Sequence, residues 1–146
     1  MPSRYLHILA PVDSSEAAQT AFTEAVNIAQ RHNATLTALY VVDDSAYHTP
    51  ALDPLLSELL DAEAAHAKAA MAKRQAFVAT TTVSDFQIEI TYGSPKYAIQ
   101  DYAAKHPDID LMVLGATGAD SPNRLAVGST TSFLVDQAPC NVLVIR

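Results

Sequence analysis

The chain has 146 residues, of which 49% are hydrophobic and 17% charged, a balance that suits one domain with a single buried core. A formal net charge of −7 argues against a basic surface for nucleic acid, and no apolar run reaches the roughly 18 residues of a membrane helix, so we expect neither partner. The single cysteine, Cys140, excludes an internal disulfide and favours a reducing compartment, with the cytoplasm as the expected location.

The predicted elements alternate between strands and helices along the whole chain. Short apolar runs ended by turn-prone residues predict strands, and apolar residues at helical spacing or many alanines predict helices. In chain order we predict a strand at 5–12, a helix capped by Ser14 or Ser15 and stopped at 32–33, a strand at 35–42, a loop at 43–53, a helix at 54–79, a strand at 86–92, a helix from Pro95 to 105–107, a strand at 110–114, a helix at 129–137 and a strand at 141–145.

The alanine-rich segment 54–79 has the least distinct helical pattern. Its apolar residues form one stripe, which is too short to require a partner helix. We therefore expect a surface helix that covers the sheet. The stripe consists of Leu55, Leu56, Leu59, Leu60 and Ala64.

This alternation predicts an α/β fold in a single domain spanning residues 1–146. Five parallel strands covered by helices on both faces, with right-handed crossovers, account for the order of elements. In such an open, doubly wound sheet, ligands bind beyond the carboxyl ends of the strands, where the strand order reverses. The positions of interest are therefore 11–13, 40–43 and the chain from Gly115 onward.

Three of the four glycines, Gly115, Gly118 and Gly128, lie close together directly after a predicted strand. Gly128 precedes a helix that opens with the hydroxyl residues 129–131. Glycine lets the backbone approach a phosphate, while N–H groups at a helix N-terminus and nearby hydroxyls donate to it. The helix dipole contributes only about 0.3–1 kcal/mol, so several donors, with Arg124 among them, would have to act together.

The same stretch also has a purely structural interpretation. Glycine is common in strand-to-helix connections, and Ser or Thr before a helix is frequently only an N-cap. A Walker lysine and a GxGxxG motif are both absent from the sequence. On these features alone, phosphate binding and a plain connection remain open alternatives.

The spacing of the glycines resembles the signature of a known family. Two residues separate Gly115 from Gly118, and nine separate Gly118 from Gly128-Ser129. This spacing is similar to the GxxG–nine–G[ST] pattern of ATP-binding universal stress proteins. Residues 11–15 resemble the PVDGS opening of that family, with Ser14 where glycine is common. The last strand, which follows a proline, resembles the usual ending, so the resemblance covers the whole chain.

The resemblance implies a Rossmann-like fold of the adenine nucleotide alpha hydrolase type, with strand order 3-2-1-4-5 and about four helices. It implies ATP, accompanied by Mg²⁺, lying across the carboxyl ends of strands one, two and four. The residues implied on the adenine and ribose side are Pro11, Val12, Asp13 and either Val41 or Val42. Those implied around the ribose and phosphates are Gly115, Gly118, Gly128, Ser129, Thr130 and Thr131.

Two of these assignments have alternatives. Asp13 would help to place the Mg²⁺, since this ion commonly uses one or two protein carboxylates, but the same side chain is suited to capping the first helix. Arg124, the only cation in the nine-residue spacer, is a candidate ligand for a terminal phosphate, or else a solvated loop arginine.

The implied function is that of an ATP-binding universal stress protein acting as a nucleotide-dependent sensor or regulatory binding module, dimeric through the strand 141–145. Two alternatives stay open: slow ATP hydrolysis or phosphotransfer, and an interaction module that binds AMP, another adenylate or no nucleotide. We predict no catalytic residue and at most weak hydrolysis. GxSxG is absent and the histidines are dispersed, at His7, His32, His48, His66 and His106.

Overall fold

The computed structural model describes residues 3–45, 53–117 and 127–146. Within these ranges the predicted order of strands and helices is confirmed. Helix α4 and strand β5 have the predicted bounds, and the strands before them differ from prediction by one or two residues at an end. The elements are β1 (His7–Val12), α1 (Glu16–His32), β2 (Thr35–Asp43), α2 (Asp53–Val78), β3 (Phe86–Gly93), α3 (Pro95–Lys105), β4 (Leu111–Gly115), α4 (Ser129–Gln137) and β5 (Asn141–Ile145).

The strands form one parallel sheet in the order β3-β2-β1-β4-β5, as predicted. In the register, Ile8 of β1 lies between Leu36 of β2 and Leu111 of β4. The chain runs from β1 to one edge of the sheet and then crosses to β4 on the other side. The strand order therefore reverses between β1 and β4, and a crevice is expected beyond their carboxyl ends.

Two apolar layers cover the sheet because successive residues of a strand point to opposite faces. On one face Ile8 packs in a cluster with Phe22 of α1 and Met71 of α2. On the other face Leu9 packs in a second cluster with Leu134 of α4. Burial of each such side chain contributes about 1.5–3 kcal/mol to folding. Helices α1 and α2 therefore cover one face of the sheet, and α3 and α4 cover the other. The carboxyl ends of the strands lie between these two pairs of helices.

Local signals in the sequence set the ends of helix α1. The Ser15 Oγ accepts a hydrogen bond from the Ala18 N–H at 3.0 Å, which makes Ser15 the N-cap, one of the two residues predicted. The helix ends at Asn33, whose φ of 54° is left-handed and whose N–H donates to the Ala29 carbonyl. A short asparagine side chain tolerates this conformation, so the predicted stop is confirmed.

Only part of the stripe expected in the first half of α2 faces the core: Leu56, Leu60 and Ala64 are half-buried, and Leu60 packs against the core cluster. Leu55 and Leu59 are exposed. The buried residues recur at spacings of four, three and four, and one of them is the charged Arg74, which obscures the apolar period in the sequence. Within the described ranges no helix, α2 included, is long and apolar enough to cross a membrane. The buried positions are Ala67, Met71, Arg74 and Val78.

Candidate functional site

A cavity of about 710 Å³ opens at the carboxyl edge of the sheet, where the strand order reverses. Its walls come from the ends of β1, β2 and β4, from the first turns of α1, α3 and α4, and from α2. This volume lies within the usual range for a small-molecule site. The lining residues are Pro11, Val12, Asp13, Ala18, Tyr40, Val41, Asp43, Glu63, Pro95, Ile99, Leu114, Gly115, Thr117, Gly128, Ser129, Thr130 and Thr131.

The structure brings most of the predicted site residues together around this cavity. Val41 lines it, whereas Val42, the alternative, is 1% exposed and packs in the core on the α1 and α2 face. Gly118 and Arg124 lie outside the described residues. The predicted residues that line the cavity are Pro11, Val12, Asp13, Val41, Gly115, Gly128, Ser129, Thr130 and Thr131.

The turn between β1 and α1 is closed by its own side chains. The Asp13 Oδ1 accepts a hydrogen bond from the Ser15 N–H at 2.8 Å, just before the helix that Ser15 caps. Among the described residues, Asn33 is the only non-glycine residue with positive φ. Ser14 therefore occupies the position where the family commonly has glycine without needing a conformation that glycine favours.

Gly115 has a structural reason to lack a side chain. A Cβ built at this position would lie 2.9 Å from both the carbonyl carbon and the carbonyl oxygen of Ala17. The backbone of α1 thus passes too close to the end of β4 for any other residue. This contact accounts for one of the clustered glycines independently of a ligand.

Two groups predicted to face phosphate also tie α4 to the end of β4. The hydroxyl of Thr131, which is buried, donates to the Gly115 carbonyl at 2.7 Å. The Gly128 N–H donates to the Ala116 carbonyl at 2.7 Å. Because these two protons are used inside the protein, the hydroxyls that remain for a ligand at the start of α4 are those of Ser129 and Thr130, beside the N–H groups of the first turn.

The first turn of α4 forms one end of the cavity. Gly128 is the N-cap, with an extended backbone at φ −67° and ψ 162°, and the helix begins at Ser129. The first N–H groups of a helix have no intrahelical acceptor and carry the positive end of its dipole. Ser129 and Thr130 both line the cavity and add hydroxyl donors. This end of the cavity is therefore suited to an anion.

The part of the cavity wall formed by the ends of β1 and β2 and by α2 is acidic. Asp13, Asp43 and Glu63 line it, and the described lining includes no lysine or arginine. Burial raises the pKa of the neighbouring Tyr40 phenol, and the Glu63 and Asp13 carboxylates raise it further. Tyr40 therefore stays neutral, and its hydroxyl keeps a proton to donate. The cavity has acceptors on this part of its wall and donors at the start of α4.

Several lining residues were not predicted. Tyr40 and Asp43 lie at the end of β2, within the positions of interest 40–43, and Pro95 begins the helix after β3. These three follow from the rule that ligands bind at the carboxyl ends of strands. Glu63 had no such signal, because it lies within α2 and not at the end of a strand.

A hydrogen-bonded chain of Thr37, His7 and Asp108 resembles a catalytic triad but lies away from the cavity. The His7 Nδ1 is 2.6 Å from the Asp108 Oδ2, and the His7 Nε2 is 2.7 Å from the Thr37 Oγ1. Thr37 is 0% exposed, so its hydroxyl cannot reach a substrate. The chain instead satisfies polar groups beneath the amino-terminal part of the sheet.

Two further kinds of chemistry find no support in the described residues. No group of three or more His, Cys, Asp or Glu side chains there could hold a metal ion. Burial raises the pKa of the Cys140 thiol, and the Asp110 carboxylate adds to this effect. A higher pKa keeps the thiol protonated and a poor nucleophile, as expected for a packed residue.

Comparison with known proteins identifies the family. A sequence model of the universal stress protein family matches residues 4–146. The chain belongs to the universal stress protein family. A relative from Staphylococcus epidermidis, which carries that family name, is 34% identical over 97% of this chain and 84% of its own length. The solved structure of the universal stress protein UspA from Lactobacillus plantarum is 74% identical, with a TM-score of 0.95, and covers 99% of this chain and 100% of its own.

More distant universal stress protein structures share the fold alone. One, solved in complex with cAMP, is 18% identical with a TM-score of 0.65 and covers 99% of this chain and 98% of its own. Another, from Archaeoglobus fulgidus in complex with dAMP, is 16% identical with a TM-score of 0.70 and covers 97% of this chain and 98% of its own. Both ligands are adenine nucleotides bound to those proteins.

Proposed function

We propose that this universal stress protein binds ATP with Mg²⁺ and acts as a nucleotide-dependent sensor or regulatory binding module in the stress response. The observation that carries the proposal is the cavity at the carboxyl edge, lined by the first turn of α4 and by three carboxylates at the ends of β1 and β2 and on α2. The adenine nucleotides in two family structures support the ligand class.

The charges of the cavity favour one orientation of the nucleotide. Ribose hydroxyls and the adenine amino group are donors, which suit the carboxylates of Asp13, Asp43 and Glu63. Phosphates would be repelled by Asp43 and Glu63 and attracted by the N–H groups and hydroxyls of Ser129 and Thr130, whereas Asp13 would meet them through Mg²⁺. The glycine signature adds Gly118 and Arg124 as proposed phosphate contacts.

Asp13 fits a cation that arrives with the nucleotide. The described residues hold no metal cage of their own, and Mg²⁺ is commonly bound by phosphates with only one or two protein carboxylates. Asp13 lies on the cavity wall and is held in place by the Ser15 N–H. Bound Mg²⁺ would neutralise phosphate charge in an acidic protein, so chelating it should weaken ATP binding.

The first test is mass spectrometry of the small molecules released when protein purified without added nucleotide is denatured. Recovery of about one ATP per chain would support the proposal and identify the ligand. Recovery of none would be followed by calorimetric titration with ATP and Mg²⁺. No heat of binding at millimolar ATP would reject the proposed function.

Variants at the start of α4 then test the site. Ser129→Ala and Thr130→Val each remove one hydroxyl, so each should lower ATP affinity by about three- to tenfold, the usual effect of one lost hydrogen bond. Ser132→Ala is the matched control, because Ser132 lies on the same helix outside the cavity lining. Equal affinities of the Ser129→Ala and Ser132→Ala variants would reject this phosphate position.

A second candidate ligand is a nucleoside monophosphate, favoured by the family structures with cAMP and dAMP. Titration with ATP, AMP, dAMP and cAMP separates the two, because a phosphate site at α4 predicts tighter binding as phosphates are added. Equal affinity across the series would favour an adenylate-binding interaction module. Phosphate release over many turnovers, slowed in the Ser129→Ala variant at ATP concentrations below saturation, would favour slow hydrolysis instead.

We also propose a cytoplasmic homodimer that pairs through β5. The single cysteine supports a reducing compartment, and the position of β5 at a sheet edge supports the pairing.

A further inference from the structure

A second cleft, of about 790 Å³, lies between the N-terminus of α1 and helix α2. It shares Asp13, Tyr40 and Glu63 with the nucleotide cavity, so the two depressions meet at these residues. Arg74 of α2 lines the second cleft and is only 6% exposed. A buried guanidinium next to the proposed site therefore needs an explanation.

Arg74 reaches from α2 to the turn that carries Asp13. Its Nη2 donates to the Asp13 backbone carbonyl at 3.2 Å, across 61 positions of sequence. Its Nη1 donates to the Ala70 carbonyl at 3.4 Å, and its guanidinium carbon lies 5.5 Å from the centre of the Phe22 ring. The guanidinium thus bridges α2, the face of α1 and the end of β1.

The burial of Arg74 is unfavourable for stability taken alone. Its Nε is buried without a hydrogen-bond partner among the described residues. Burial also lowers the pKa of the guanidinium, an effect that the Tyr40 and Asp13 side chains oppose. An apolar side chain would continue the buried series of Met71 and Val78 and avoid this cost. What an apolar side chain cannot supply is the hydrogen bond to Asp13.

We propose that Arg74 is a positioning residue that holds the loop from Asp13 to Ser15, and with it the ribose side of the cavity, in the geometry that receives the nucleotide. This inference rests on the proposed function. Arg74 and Glu63 both lie on α2, so this helix sets the position of two parts of the cavity wall. Through this contact, ligand occupancy and the packing of α2 are coupled.

The test compares Arg74→Met, Arg74→Lys and the control Lys73→Met in the full chain. Methionine keeps the packing against Phe22 but removes the hydrogen bond, lysine keeps a charged donor, and Lys73 is an exposed neighbour on the same helix. Three quantities are measured: hydrogen exchange of the Ser15 and Ala18 amides without nucleotide, the melting temperature, and ATP affinity by calorimetry. The two amides report the hydrogen bonds that close the loop.

In Arg74→Met we expect exchange at these amides to rise and ATP affinity to fall, each by about three- to tenfold. The melting temperature should stay the same or increase, because a buried charge and an unpartnered N–H are removed. Arg74→Lys should recover part of both effects, and Lys73→Met should match the unmodified protein. A fall in affinity without loss of stability is the result that a merely structural role does not give.

Unchanged exchange at Ser15 and Ala18 would overturn the proposal, since the loop would not depend on Arg74. Faster exchange throughout the protein together with a lower melting temperature would also overturn it, because Arg74 would then act as a general packing residue. If the unmodified protein binds no ATP, the proposed function fails. The exchange of the two amides in nucleotide-free protein still decides the role of Arg74 in that case.

Discussion

At the scale of single residues, two properties of Gly115 determine the packing at the end of β4: it has no side chain, and its carbonyl accepts a hydrogen bond. Its missing side chain lets the Ala17 backbone approach, and its carbonyl accepts the Thr131 hydroxyl proton at 2.7 Å. One residue therefore fixes α1 and α4 on either side of the cavity. The geometry of the site depends on close backbone packing before any ligand is considered.

Replacing Gly115 with alanine should destabilise the protein by about 1–3 kcal/mol, the usual cost of forcing one extra carbon into a packed interior. The added Cβ would meet two backbone atoms of Ala17, which cannot rotate away. Urea unfolding at neutral pH measures the change. Ser132→Ala is the control, because Ser132 is exposed on α4 and its replacement should change stability by less than about 0.5 kcal/mol. Equal losses in the two variants would contradict this account of Gly115.

Asp108 gives the stability a dependence on acid pH. Its hydrogen bond with His7 holds the pKa of the carboxyl below its ordinary value of 3.8. A carboxyl with a lowered pKa in the folded state stabilises the protein above its unfolded pKa, and this contribution is lost as the pH falls through the folded value. The Asp108 side chain is 68% exposed, so we expect less than about 1 kcal/mol.

Urea unfolding from pH 7 to pH 3 tests this prediction. Asp108→Asn should lower stability at pH 7 and reduce the further loss between pH 5 and pH 3. Asp101→Asn is the control, since Asp101 forms an exposed ion pair with Lys105 and touches no histidine in the described contacts. If the two variants change the pH profile equally, the His7 contact is not its source.

At the scale of elements, α2 shows how a helix can cover a sheet without a clear apolar face. Its buried positions include Ala67, Arg74 and Met71, whereas Leu55 and Leu59 face away from the sheet. The buried residues of the helix lie in its second half, from Ala67 onward, and in its first half the half-buried Leu60 packs against the same core. Its leucines therefore differ widely in their contribution to stability.

Met71→Ala should cost about 2–4 kcal/mol, because a fully buried side chain is removed and a cavity is left. Leu59→Ala should cost less than about 0.5 kcal/mol, because Leu59 is exposed and alanine has the higher helix propensity. The free energies of unfolding in urea measure both changes. A larger loss from Leu59→Ala than from Met71→Ala would mean that α2 is turned the other way.

The sequence predicted the elements well where local signals mark their ends. Serine, proline and asparagine at the helix ends placed α1, α3 and α4, and the strand order followed from the family resemblance. Other features depend on contacts between distant residues. Whether Val41 or Val42 faces the cavity depends on which face of β2 each occupies, and the Arg74 contact joins residues 61 positions apart. No local pattern predicts such contacts.

At the scale of the whole molecule, the two edges of the sheet differ in chemistry. On β3 the exposed positions include Gln87 and Glu89, and a charged residue discourages pairing with another strand. On β5 the exposed positions are Asn141 and Leu143, with no charge in the strand. An apolar, uncharged edge favours pairing with a second copy. A two-fold dimer through β5 would extend the sheet across both chains.

Leu143→Lys should convert the proposed dimer to a monomer, because a symmetric interface would bring two new positive charges together in an apolar contact. Leu143 is 37% exposed in the single chain, so lysine at this edge should leave the fold intact. Sedimentation at micromolar concentration distinguishes one chain of 15.6 kDa from two. The control is Gln87→Lys on the opposite edge, which should stay dimeric. If the unmodified protein is a monomer, the proposed dimer is rejected. If Gln87→Lys is monomeric and Leu143→Lys is dimeric, the interface lies at β3 instead. In such a dimer the two sheets meet edge to edge at β5, and both cavities stay accessible at the carboxyl ends of the strands. ATP affinity should therefore be equal in the dimer and in the Leu143→Lys monomer.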